Sequence, residues 1–151
     1  MTAAALLANA RDELRDVPQN GLGVVKVSRW RGTRIVRAGQ AWHLGVLLLA
    51  DDAVFETGEV LRAAAEVRRG YTAESARARA DRRAQARRGG FAEGEIVHVD
   101  WHPIDVAAVD TGDASGPLVL VDGEPHVRWA PGASPVPLAG YLAERIALAR
   151  G

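Results

Sequence analysis

Trp42-His43-Leu44-Gly45-Val46-Leu47-Leu48-Leu49-Ala50 is an almost unbroken apolar run. It leaves water little to solvate, which suits a strand covered on both faces. Asp51-Asp52 interrupts it, and residues 53–61 resume with mixed polarity. The pair predicts a β-hairpin at the centre of a sheet, its second arm folding back antiparallel into a less central position.

The flanking segments set the rest of the expected architecture. Thr2 is placed to cap a helix running to about Asp16, with Leu6, Leu7, Ala10 and Leu14 along one side and Pro18 ending it. Residues 22–30 alternate as a strand, with Val25 and Val27 opposite Lys26 and Ser28. Gly32-Thr33 is a turn, and residues 34–37 return as a second strand. With the central hairpin this makes a meander of about four strands, since the connections are too short for parallel crossovers.

Residues 62–69 suit either a strand tail or a short helical turn. Thr72 is then an N-cap for a helix over residues 73–88, stopped by Gly89-Gly90, with Ala73, Ala76, Ala80 and Ala84 forming one narrow stripe. Residues 95–102 predict a further strand closed by Pro103, residues 104–117 a loop, and Asp122-Gly123 the turn of a second hairpin. A proline-rich loop leads to a terminal helix over residues 138–149, with Leu138, Leu142 and Ile146 on one face. The expected fold is therefore one α+β domain spanning residues 1–151. Its antiparallel sheet, the meander plus a strand and a second hairpin, is covered by the Ala/Arg-rich helix and the N- and C-terminal helices.

The absence of cysteine excludes disulfides, thiolate zinc sites and cysteine nucleophiles, and fits a reducing cytoplasm. No apolar stretch approaches the ~20 residues that span a membrane, so no membrane partner is expected. The net charge of zero hides a segregation. Residues 62–88 hold nine basic and three acidic side chains, residues 89–151 three and nine, and residues 1–61 seven of each. Self-complementarity, within the chain or across a homodimer, is the simplest use of such asymmetry.

Three groups of residues are candidates for chemistry. In His98-Val99-Asp100-Trp101-His102 a strand period of two places His98, Asp100 and His102 on one face, where two imidazoles and a carboxylate suit a divalent metal, completed by His126 or Glu124. A metal-dependent hydrolase would follow. The competing reading is a solvated strand face, because same-face neighbours lie ~7 Å apart and converge poorly on one ion. Arg77, Arg79, Arg82, Arg83, Arg87 and Arg88, continued backward by Arg68 and Arg69, could meet phosphates while Tyr71 or Phe91 stacks on bases. They run nearly all the way round the helix instead of gathering on one face, which argues against nucleic acid.

The third group is Trp30, Trp42, Trp101 and Trp129, each beside arginine or histidine, with Arg128 next to the last. They could line a pocket for an anionic planar ligand, or serve as core and interface. No Gly-x-Ser-x-Gly elbow or phosphate-cradling loop is present. No cofactor is specified, and whether the chain is an enzyme stays open. The leading expectation is a non-enzymatic ligand-binding or protein-interaction domain, acting as a homodimer.

Overall fold

The computed structural model describes residues 1–66 and 73–151. Its fold is α+β, with four helices and mostly antiparallel strands among the described residues. Arg68, Arg69, Tyr71 and the expected N-cap Thr72 lie outside those residues. Contacts divide the chain into two compact units, one formed by Met1–Gln19, Ala41–Thr57 and Trp101–Gly151, the other by Asn20–Gln40 and Gly58–Asp100.

The first unit contains the apolar run, and the hairpin expected around Asp51-Asp52 is present, Leu49 pairing with Val54, but its arms are shorter than expected. The strand does not extend from Trp42 to Ala50. Residues 34–44 belong instead to one long strand, β2 (Gly32–Leu44), which turns at Gly45-Val46 into β3 (Leu47–Leu49) and then into β4 (Val54–Glu56). The turn forms inside the apolar run because Gly45 takes φ +64°, a conformation closed to most side chains. Trp42 pairs with Leu49 and Leu44 with Leu47. All three residues of β3 are fully buried, as an uninterrupted apolar run requires.

Helix α1 (Ala3–Glu13) begins where Thr2 Oγ1 accepts the Ala5 N–H at 3.1 Å, as expected. The Asp110 carboxylate accepts the N–H groups of Ala3 and Ala4 as well, which satisfies two more free donors of the first turn. Asp110 ends α3 (Val106–Asp110), a short helix in the segment expected to be loop; Asp105 caps it through the Ala108 N–H. The second hairpin is present as β8 (Leu118–Val121) and β9 (Glu124–Val127), and β9 pairs further with a short β10 (Val136–Pro137). Helix α4 (Leu138–Arg150) buries Leu138, Tyr141, Leu142 and Ile146, the face its spacing predicts. It packs on β9 and on α1. Leu7, Leu14, Leu44, Leu47, Leu118 and Val127 fill the core between these elements.

The second unit is built on β1 (Asn20–Ser28) and the first part of β2, joined by a three-residue turn at 29–31 that allows only antiparallel pairing. Beyond β1 lie β6 (Ile96–Val99) and β5 (Glu59–Arg62), in the order β5-β6-β1-β2. The β1–β6 pair is parallel, Leu22 matching His98, and departs from the all-antiparallel expectation. Its strands are far apart in sequence, so a parallel connection has room to form.

Helix α2 (Glu74–Arg88) buries Ala84 and Ala86 and half-buries Ala76 and Ala80, so the predicted stripe faces inward over its last turns while Ala73 stays exposed. Close approach continues at Gly89, where a Cβ would lie 1.7 Å from the Ile35 carbonyl oxygen. Ile35, Leu61, Phe91, Val97 and Val99 form the core of this unit.

Candidate functional site

In the first unit a cleft of about 620 Å³ opens between the Gly45-Val46 turn, the end of β4 and the loop over residues 128–135. Each wall has a local cause. The Tyr141 hydroxyl and the Thr57 N–H hold Val46 from two sides, the hydroxyl accepting the Val46 N–H and the Val46 oxygen accepting from Thr57 at 3.1 Å. Ser115 and Leu118 exchange both backbone bonds around Gly116-Pro117. Gly116 has φ +53°, and since Pro117 cannot follow with a positive φ, the turn is of type II′. A Cβ on Gly116 would sit 3.2 Å from Glu56 Oε2, so glycine leaves room for that carboxylate at the cleft wall.

The third wall starts where the Arg128 N–H donates to the Pro117 oxygen at 2.8 Å. It is shaped by Ala130-Pro131-Gly132-Ala133, where the Ala133 N–H reaches the Ala130 oxygen at 3.2 Å and Gly132 takes φ +75°. Proline followed by a positive-φ glycine is the type II turn signature. Trp129 stands on this loop with 48% of its surface exposed. Glu56 and Arg128 line the same cleft, and neither forms an ion pair among the described residues. A flat apolar face, a guanidinium fork and a carboxylate are therefore all available to a ligand.

Another cleft of about 480 Å³ lies beside α1. Two of its charged groups are already used, Arg11 donating to the carbonyls of Ala50 and Ala53 and Asp105 capping α3, which leaves Asp52 as its one charged side chain without a partner among the described residues. The cleft at Trp129 is the better candidate for that reason.

Of the residues singled out by sequence, only Trp129 and Arg128 reach this site. Trp42 is core, its Nε1 donating to the Val17 oxygen at 2.7 Å. Trp101 packs at a tilt on Phe55, ring centroids 4.7 Å apart. Trp30 belongs to the second unit, at the β1–β2 turn. The four side chains do different jobs because each is placed by a different strand or turn.

The metal pattern meets a similar obstacle. Its strand ends at Val99, and Asp100 takes φ +59°, which breaks the period of two on which a shared face depends. His98 is buried, with Nε2 3.1 Å from Asn20 Oδ1, and the Asp100 carboxylate accepts from Arg82 at 3.0 Å. His102, exposed on β7 (His102–Pro103), and His126, with Nδ1 2.9 Å from the Glu124 oxygen, belong to the other unit. Among the described residues no three His, Asp or Glu side chains come together as a metal-binding group.

The arginines of α2 are largely engaged within their own unit: Arg82 with Glu59 and Asp100, Arg87 with Glu93, Arg88 with Glu66, and Arg83 with the Arg62 carbonyl. Glu56 and Val46 were missed by sequence reasoning because both fall inside strands of the expected hairpin. The turn glycines Gly45, Gly116 and Gly132 were the signal that could have found them. Comparison with family models, with curated proteins and with solved structures finds no match.

Proposed function

We propose that this chain is a non-enzymatic binding module whose ligand occupies the cleft at Trp129. The observation that carries the reading is the convergence of three unspent groups, Trp129, Arg128 and Glu56, on one cavity of about 620 Å³. That size falls in the range that holds small ligands. Arg128 matches a carboxylate, Glu56 an ammonium or other donor, and Trp129 a planar apolar body. The ligand class is thus a small zwitterion with a flat apolar part, of which the aromatic amino acids are the simplest members. A cytoplasmic location, in keeping with the lack of cysteine, is part of this reading.

Thermal unfolding with phenylalanine, tyrosine and tryptophan, each beside its decarboxylated and its deaminated analogue, tests the proposal. A zwitterion should raise the midpoint, by an amount that corresponds to about 2.7 kcal/mol at a hundredfold excess over Kd. Both analogues should do less, and Trp129→Ala should abolish the shift. No stabilisation by any zwitterion, or stabilisation that survives in Trp129→Ala, overturns it.

A further inference from the structure

The two units carry opposite charge. Asn20–Gln40 with Gly58–Asp100 holds fourteen basic and seven acidic side chains, a net +7; the rest holds five basic and twelve acidic, a net −7. Within the basic unit, helix α2 and the β1–β2 hairpin use their cations differently. Those of α2 are largely engaged, as described above. From Asn20 to Ala50 the chain contains Lys26, Arg29, Arg31, Arg34 and Arg37 and no acidic residue. Arg37 pairs with Glu95, whereas Lys26, Arg29 and Arg31 form no ion pair among the described residues.

Arg29 and Arg31 flank, in sequence, the most exposed large apolar side chain among the described residues. Trp30 is 91% exposed at the hairpin turn, and Val27 beside it on β1 is 81% exposed. The turn is preformed, since Ser28 Oγ accepts the N–H groups of both Trp30 and Arg31 at 3.2 Å. An aromatic knob between two guanidiniums on an ordered turn has the composition of a binding hot spot, where tryptophan and arginine are enriched.

We propose that this tip docks on the acidic unit of a second copy of the chain. Charge complementarity selects the occupant. The −7 surface is always present at the same concentration as the tip, and opposite fields of this size steer encounter and fix register. A reciprocal arrangement, each tip on its partner's acidic unit, closes as a two-fold dimer and leaves no tip free. A polynucleotide fits less well, because it rewards cations strung along a face with many phosphate contacts, whereas Arg29 and Arg31 flank a single exposed ring.

Sedimentation velocity across a concentration series, at low and at high salt, tests this on the full chain. The expected result is a dimer whose dissociation constant rises with salt, as the screening length drops from ~30 Å at 0.01 M to ~3 Å at 1 M. Trp30→Ala and the double variant Arg29→Glu/Arg31→Glu should each weaken the dimer by about thirtyfold or more, the loss expected of a hot spot. Both variants should keep the circular dichroism spectrum of the parent, and its unfolding midpoint at concentrations where all three are monomeric, because the altered side chains are exposed in the monomer. A monomer at every concentration overturns the proposal, as does a dimer indifferent to both variants. A monomer that binds single-stranded oligothymidylate or anionic vesicles through Trp30 also overturns it, and identifies a different occupant.

Discussion

The Tyr141 hydroxyl accepts the backbone N–H of Val46 at 2.9 Å, so a residue of the C-terminal helix holds a turn 95 positions earlier in the chain. Gly45 makes the contact possible. A Cβ there would lie 1.9 Å from that hydroxyl, and the residue already has φ +64°. The Arg145 guanidinium lies over the Tyr141 ring, 5.2 Å from its centroid, with Nε 2.9 Å from where a Gly45 Cβ would be. The wall of the candidate cleft is therefore fixed by α4, and damage to either partner should reach both stability and binding.

Gly45→Ala is expected to lower unfolding free energy by about 2–5 kcal/mol. Left-handed backbone costs a non-glycine residue about 1–2 kcal/mol, and displacing Tyr141 strands the Val46 N–H for about 1–3 kcal/mol more. Tyr141→Phe should cost only that second amount. The two losses should not add, because both break the same bond. Urea midpoints with unchanged slopes are the measurement.

Gly89 and Gly90 stand side by side at the end of α2 and should respond to alanine for different reasons. Gly89 has φ −77°, so alanine fits its backbone, but the new Cβ would be 1.7 Å from the Ile35 oxygen and the helix would have to lift. Gly90 has φ +107° and open space around it. Gly89→Ala should cost about 3 kcal/mol, at the upper end for overpacking, and Gly90→Ala less. The reverse order, measured by the same urea titration, would mean that the close approach is not limiting.

The contrast between these glycines shows what the sequence could and could not reveal. The Gly89-Gly90 pair announced a helix stop, and Thr2, Leu138, Leu142 and Ile146 announced helices where they occur, because capping and periodicity are local. Gly45 could signal a turn but not its partner, since its role depends on Tyr141, which only tertiary packing brings near. The same holds for Glu56, which was read as one residue of a longer strand. Asp100 hid the end of β6 because its left-handed backbone is not marked by glycine. Half of the cleft was legible as Arg128-Trp129, and the half contributed by non-local neighbours was not.

Glu95 should contribute to acid sensitivity. Burial pushes its carboxyl upward, but the hydrogen bond and charge of Arg37 and the Ala92 N–H outweigh burial and hold it below the ordinary glutamate value. A folded-state value lower than the unfolded one means the stabilisation is complete above the ordinary value and is lost as pH falls through the lower one. Glu95→Gln should flatten that part of the stability profile and leave the slope near neutrality unchanged. Urea unfolding of both proteins from neutral pH into the acid range at low salt checks it.

His98 and His102 separate a structural role from a shared metal. His98 is 1% exposed and bonded to Asn20, so His98→Ala should cost about 2–4 kcal/mol through cavity and lost polar contact. His102 is exposed, and its replacement should stay within about 0.5 kcal/mol. Added chelator should change neither midpoint. If one ion held both side chains, the two variants would lose similar stability and chelator would reproduce the loss, which thermal unfolding with and without chelator would reveal.

β2 gives Ile35 to one core and Leu44 to the other within a single 13-residue strand. Because no linker interrupts this strand, we propose that the two units unfold together as one domain. Native-state hydrogen exchange should then give the amides of Leu48 in β3 and Val97 in β6 the same opening free energy, equal to that of global unfolding. Gly45→Ala, whose damage is local to the first unit, should lower both values equally. If it lowers only that of Leu48, the units are independent, and the chain is two domains threaded by one strand.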